Sequence, residues 1–83
     1  MTQEKRTAAI TGAARGIGRR VAEVLAERGY RVALNDLRAP DETLASIRSR
    51  GGEAIGYIGD VTDESTAEGF AAVAIDVTEM SRM

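Results

Sequence analysis

Three glycines crowd into the stretch Thr11-Gly12-Ala13-Ala14-Arg15-Gly16-Ile17-Gly18, which follows a short apolar run, Thr7-Ala8-Ala9-Ile10, and precedes residues at helical spacing. A glycine-rich turn that ends a buried strand and opens a helix aims unpaired backbone N–H groups at whatever docks there. The positive end of the helix dipole points the same way. The missing β-carbons let a pyrophosphate come close to the backbone and let the helix sit tight on the strand. The chemistry this affords is anion binding, a cradle for nucleotide phosphates. A second position belongs with it. Asp36 lies eighteen residues past Gly18, at the end of another apolar run, Val32-Ala33-Leu34. An acid there accepts hydrogen bonds from both ribose hydroxyls of an adenosine. A 2′-phosphate in that place would meet a carboxylate, so Asp36 favours NAD over NADP. Arg15 and Arg38 pull the other way, because either can pair with a 2′-phosphate. The carboxylate outweighs them, since it occupies the ribose position while the arginines can swing to solvent.

These residues need elements to hold them, and the chain alternates strand and helix. A first strand is expected over about residues 7–11 and a first helix over 16–28, with Ile17, Val21, Val24 and Leu25 at helical spacing. Gly29 stands where a helix C-cap belongs, and Val32-Ala33-Leu34 forms a second strand that ends at Asn35-Asp36. Ala39-Pro40-Asp41-Glu42 starts a second helix, with Pro40 or Asp41 near the cap, which Gly51-Gly52 stops. Residues 53–58 read as a third strand, weakened by Gly56. Asp60-Val61-Thr62-Asp63 is a loop, and Asp63 caps a third helix from about Glu64, with Ala67, Phe70, Ala71 and Ala74 on one face. Ile75-Asp76-Val77 reads either as the entry to a fourth strand or as more of that helix. Short strand–helix–strand connections imply parallel pairing by right-handed crossovers. The fold class is α/β: a partial Rossmann fold with a three-stranded parallel sheet in order 3-2-1 and flanking helices.

Composition sets the outer bounds. Eighty-three residues, 43% apolar and 29% charged, suit one small globular domain. The net charge of −2 divides into +3 over the first thirty residues and −5 over the rest, too mild to argue for nucleic acid or a membrane surface. There is no cysteine, which excludes disulfides and thiolate metal sites, and no histidine, the commonest metal ligand and general base. No metal site is therefore expected. No apolar run reaches the ~20 residues of a membrane span, and Met1–Arg6 leads into no signal-peptide core, so a cytoplasmic location is expected. Arg15, Arg19 and Arg20 read as a solvated helix face, and Tyr30, Tyr57 and Phe70 as packing residues.

The glycine stretch as Thr-Gly-x-x-x-Gly-x-Gly, Asn35-Asp36-Leu37, and Gly59-Asp60-Val61-Thr62-Asp63 together resemble the N-terminal portion of the short-chain dehydrogenase/reductase family. The resemblance covers roughly residues 5–70. It implies an NAD(P)-dependent oxidoreductase acting on alcohol or carbonyl groups, with Gly12, Arg15, Gly16, Ile17 and Gly18 lining the phosphate and ribose path. It further implies that Asp36 holds the adenosine ribose with Leu37 beside it, that Asp60 bonds the adenine amino group, and that the Val61 backbone bonds the ring. Read from its residue type alone, Asp60 is equally a turn former.

The chain departs from the family in one decisive respect. The family's Asn-Ala-Gly turn, catalytic serine and Tyr-x-x-x-Lys are not present; Lys5 is the sole lysine, and four residues beyond the two tyrosines stand Leu34 and Val61. No catalytic residue is assigned. Residues 1–83 are expected to form a truncated NAD(P)-binding Rossmann domain that takes the adenosine diphosphate part of NAD. The alternatives are a non-catalytic dinucleotide-binding module or an inactive gene fragment. In such a piece one edge of the first strand is left unpaired, inviting self-association.

Overall fold

The computed structural model describes residues 6–80, and side chains as far as Ile75. Met1–Lys5, with the sole lysine, and the closing Ser81–Met83 lie outside the described residues. The order is β1 (Thr7–Ile10), α1 (Gly16–Glu27), β2 (Arg31–Asp36), α2 (Asp41–Ser49), β3 (Ala54–Ile58) and α3 (Glu64–Met80). The three strands form one parallel sheet with β2 in the middle, which is the expected partial Rossmann arrangement. Thr7 pairs with Arg31 and Ile10 with Leu34 on one side; Val32 pairs with Ala54 and Asp36 with Ile58 on the other.

β2 is the buried centre: Val32, Ala33, Leu34 and Asn35 are all enclosed. Its run of apolar, β-branched and small residues is what a strand covered on both faces requires. α1 and α2 lie side by side, whereas α3 packs on β1 and β2. Tyr57 and Phe70 anchor α3 to the sheet, with ring centroids 6.1 Å apart. The tyrosine hydroxyl sits against Gly69, where no β-carbon would fit. Phe70 is buried and Ala67 half-buried, as expected, but Ala71 faces solvent. The segment 75–77 is helical, which settles the open choice between strand and helix.

The core face of α1 differs from the expected stripe. Ile17 is 84% exposed and Val21 is also exposed. Small residues do the packing instead. A β-carbon on Gly18 would collide with the Gly12 carbonyl, Ala22 is fully buried, and Ala26 faces Gly52. Small side chains one helical turn apart let α1 settle close to the neighbouring backbone, which leaves Ile17 standing out at the helix start. The charged face is also less solvated than its composition suggests. Arg19 bonds Glu42 at 3.2 Å, Ser46 bonds Glu23 at 2.6 Å, and Arg50 bonds Glu27 at 2.9 Å. Each pair is 23 residues apart, so the contacts step along two parallel helices turn by turn.

Gly56, the weak point of the third strand, has a packing reason. Its missing β-carbon makes room for Pro40 and Leu44 at the start of α2. Pro40 is buried and stands at the N-cap, before Asp41 and Glu42 in the first turn, where negative charge complements the helix dipole.

Candidate functional site

The carboxyl ends of the three strands carry the loops that hold the candidate residues. The glycine stretch leaves β1, turns at Gly12 and again at Gly16, both with φ of +63°, and enters α1. Side chains rarely adopt that backbone region, and a β-carbon at either glycine would project into open space with nothing within 4 Å. The space beside the backbone at both turns is therefore open. Arg15 is the N-cap of α1, makes no side-chain cap bond, and no acidic residue occupies the first turn. The amides of Gly16, Ile17 and Gly18 are thus left as the donor set at a helix N-terminus.

Asp36 ends β2 beside this loop. Its Oδ2 accepts the Ala14 N–H at 2.9 Å, and its Oδ1 accepts the Arg38 N–H at 3.2 Å. The Ala14 hydrogen bond is the main reason its carboxyl is held below the ordinary carboxylate range. Partial burial opposes this, while the Arg38 and Leu37 amides and the nearby Arg15 charge assist. The residue is a fixed anion. Its two oxygens face these backbone donors and keep further lone-pair directions. Leu37, next along, is 69% exposed beside it.

Asp60 and Val61 follow β3. The Asp60 Oδ1 accepts both the backbone N–H and the hydroxyl of Thr62, at 2.9 and 2.7 Å, which lowers its pKa. The turn-forming role read from its residue type is present. Its loop joins the others through Gly59, whose N–H bonds the Asp36 carbonyl at 2.9 Å. Val61 is half-buried.

A sequence model of the short chain dehydrogenase family matches residues 6–80. The chain belongs to the short-chain dehydrogenase family. It is 46% identical over 70 residues to the uncharacterised oxidoreductase YxbG of Bacillus subtilis, covering 82% of this chain and 26% of that protein. It is 38% identical over 76 residues to an L-rhamnose 1-dehydrogenase (NAD(P)(+)) of a Sphingomonas species, covering 88% and 30%. Among solved structures it resembles a hydroxysteroid dehydrogenase from Escherichia coli, with a TM-score of 0.86 and 30% identity over 93% of this chain and 34% of that one. The chain therefore spans about a quarter to a third of the length of these short-chain dehydrogenase relatives.

Two residues that position this candidate site were given no positioning role in the reading of the sequence, although Asn35 was named there as a strand end. Asn35 is buried, and its amide donates to the carbonyls of Tyr57 and Gly59, both at 3.0 Å, fastening the third loop to β2. Thr43 is fully buried in α2, and its hydroxyl donates to the Ala13 carbonyl at 2.7 Å. A polar residue inside an apolar run is the signal for the first. Only the three-dimensional approach of α2 to the glycine loop reveals the second.

Proposed function

We propose that this chain binds the adenosine diphosphate part of NAD and corresponds to the cofactor-binding portion of an NAD(P)-dependent short-chain oxidoreductase. The observation that carries this reading is the ionised Asp36 carboxylate, fastened to the glycine loop by the Ala14 amide. In it, the amides of Gly16, Ile17 and Gly18, with Gly12 and Arg15 beside them, hold the diphosphate. Asp36 takes the adenosine ribose hydroxyls next to Leu37. The Asp60 Oδ2 accepts the adenine amino group and the Val61 backbone meets the ring. The fixed negative charge of Asp36 is the ground for preferring NAD, since a 2′-phosphate would sit against it.

Residues 1–83 constitute, in this reading, a truncated NAD(P)-binding Rossmann domain. Its single lysine, Lys5, stands in no Tyr-x-x-x-Lys arrangement, so binding without hydride transfer is the activity assigned to this chain alone. The partner is a dinucleotide, not a nucleic acid or a membrane; among the described residues no helix is long and apolar enough to cross a bilayer. A cytoplasmic setting is part of this proposal. The outer edge of β1 is proposed to support self-association.

Calorimetry on the folded chain tests the reading. NAD and ADP-ribose are expected to bind saturably, NADP more weakly, and Asp36→Ala to abolish binding. Absence of heat with both NAD and ADP-ribose on a folded sample overturns it.

A further inference from the structure

The glycine loop is tethered to its surroundings around Ala13. Ala13, which is fully buried, donates its N–H to the Asn35 carbonyl at 3.0 Å, and its carbonyl accepts the Thr43 hydroxyl at 2.7 Å. The next N–H, that of Ala14, is the one held by Asp36. Two of these tethers come from β2, with which β1 already pairs. The Thr43 hydroxyl is the one that comes from α2, and it also lies 3.4 Å from the Ala14 carbonyl. It therefore sets the orientation of the peptides directly before Arg15, the N-cap whose following amides are the phosphate donors. We infer that Thr43 is a positioning residue for the anion cradle: its hydroxyl pins the Ala13–Ala14 peptide so that the α1 amides converge on a diphosphate.

The inference rests on the dinucleotide-binding reading above. The Thr43 hydroxyl bonds backbone carbonyls of the loop, so it does its work through backbone geometry. A buried carbonyl that loses its donor shifts toward another partner, and donors at a preorganised site lose affinity when they move by a fraction of an ångström. α2 itself is seated by Pro40 against Gly56 and by the Arg19–Glu42 pair, so the tether has a firm base.

The test compares Thr43→Val, which keeps the shape and removes the hydroxyl, with Thr43→Ser, which keeps the hydroxyl. Calorimetry reads ADP-ribose and adenosine, and amide exchange reads Ala14 and Leu34. Thr43→Val is expected to weaken ADP-ribose binding about tenfold, consistent with one buried acceptor left without its donor. Adenosine binding should change less than about twofold, the difference expected when only the diphosphate donors are displaced. Exchange at Ala14 should speed up while Leu34 stays protected, and Thr43→Ser should restore both readouts. Unchanged ADP-ribose binding in Thr43→Val, or equal losses for the two ligands, overturns the inference while leaving the binding reading intact. If Thr43→Val does not fold, a Thr43→Ser chain that folds but fails to hold Ala14 protection overturns it as well. Failure of the unsubstituted chain to bind ADP-ribose overturns both.

Discussion

Gly18 and Asp36 do different work although both belong to the same candidate site. Gly18 is required by space. An added β-carbon would run into the Gly12 carbonyl, which belongs to backbone already fixed at φ +63°. Gly18→Ala should therefore push α1 off the loop, costing about 1–3 kcal/mol as overpacking does. A lowered thermal midpoint together with lost ADP-ribose binding would register it. Asp36 is required by charge. Its folded pKa is lowered from the ordinary 3.8, so the stability it contributes is complete above that value and is lost as pH falls through the lower folded value. Asp36→Asn, which has no such proton to take up, should flatten that part of the acid limb in a pH series of urea midpoints. Both residues were legible in the sequence because glycine and aspartate are nearly irreplaceable in these roles. Thr43 was not, since a threonine in a first helical turn ordinarily faces water and only the folded path of Ala13 brings an acceptor to it.

Elements were legible wherever apolar spacing met a clear stop. β2 and the close of α2 at Gly51-Gly52 fall where the spacing puts them, within a residue. The α1–α2 ladder was hidden because its partners are 23 residues apart and mixed charge reads as solvent-facing. Glu23 shows what the ladder does. Its side chain is 12% exposed, and the Ser46 hydroxyl is the leading cause holding its carboxyl below the ordinary 4.5, with Arg19 assisting. Ser46→Ala should cost about 1.5–3 kcal/mol, the range for a hydrogen bond to a charged group. Its signature is a sign, not only a size. Losing the hydroxyl lets the Glu23 pKa rise toward its unfolded value, so the gap between wild type and variant should be widest at neutral pH. It should close as pH falls through the lowered Glu23 value, which a set of denaturant melts would reveal.

At the scale of the whole molecule, β2 is paired on both sides and β1 on one. The alternation of a parallel ladder lets the register say which groups of β1 are used: the Arg31 N–H bonds the Arg6 carbonyl, so residues 6, 8 and 10 turn toward β2. Ala9 then directs its backbone N–H and carbonyl to the outer edge, and it is exposed. An edge strand with small, uncharged side chains carries none of the lysines, prolines or bulges that keep sheets from pairing with one another. The chain alone is accordingly expected to associate, with a sedimentation-average mass that climbs as concentration rises. Ala9→Lys places a charge on that edge strand without removing a backbone hydrogen bond that β1 makes with β2, and should return the chain to a concentration-independent monomer. NAD, bound as proposed through Asp36 and the α1 amides, should stabilise the folded form in both while leaving the association of the unsubstituted chain in place. A monomer at every concentration in the unsubstituted chain, or association indifferent to Ala9→Lys, would show that the open edge is not what draws copies together.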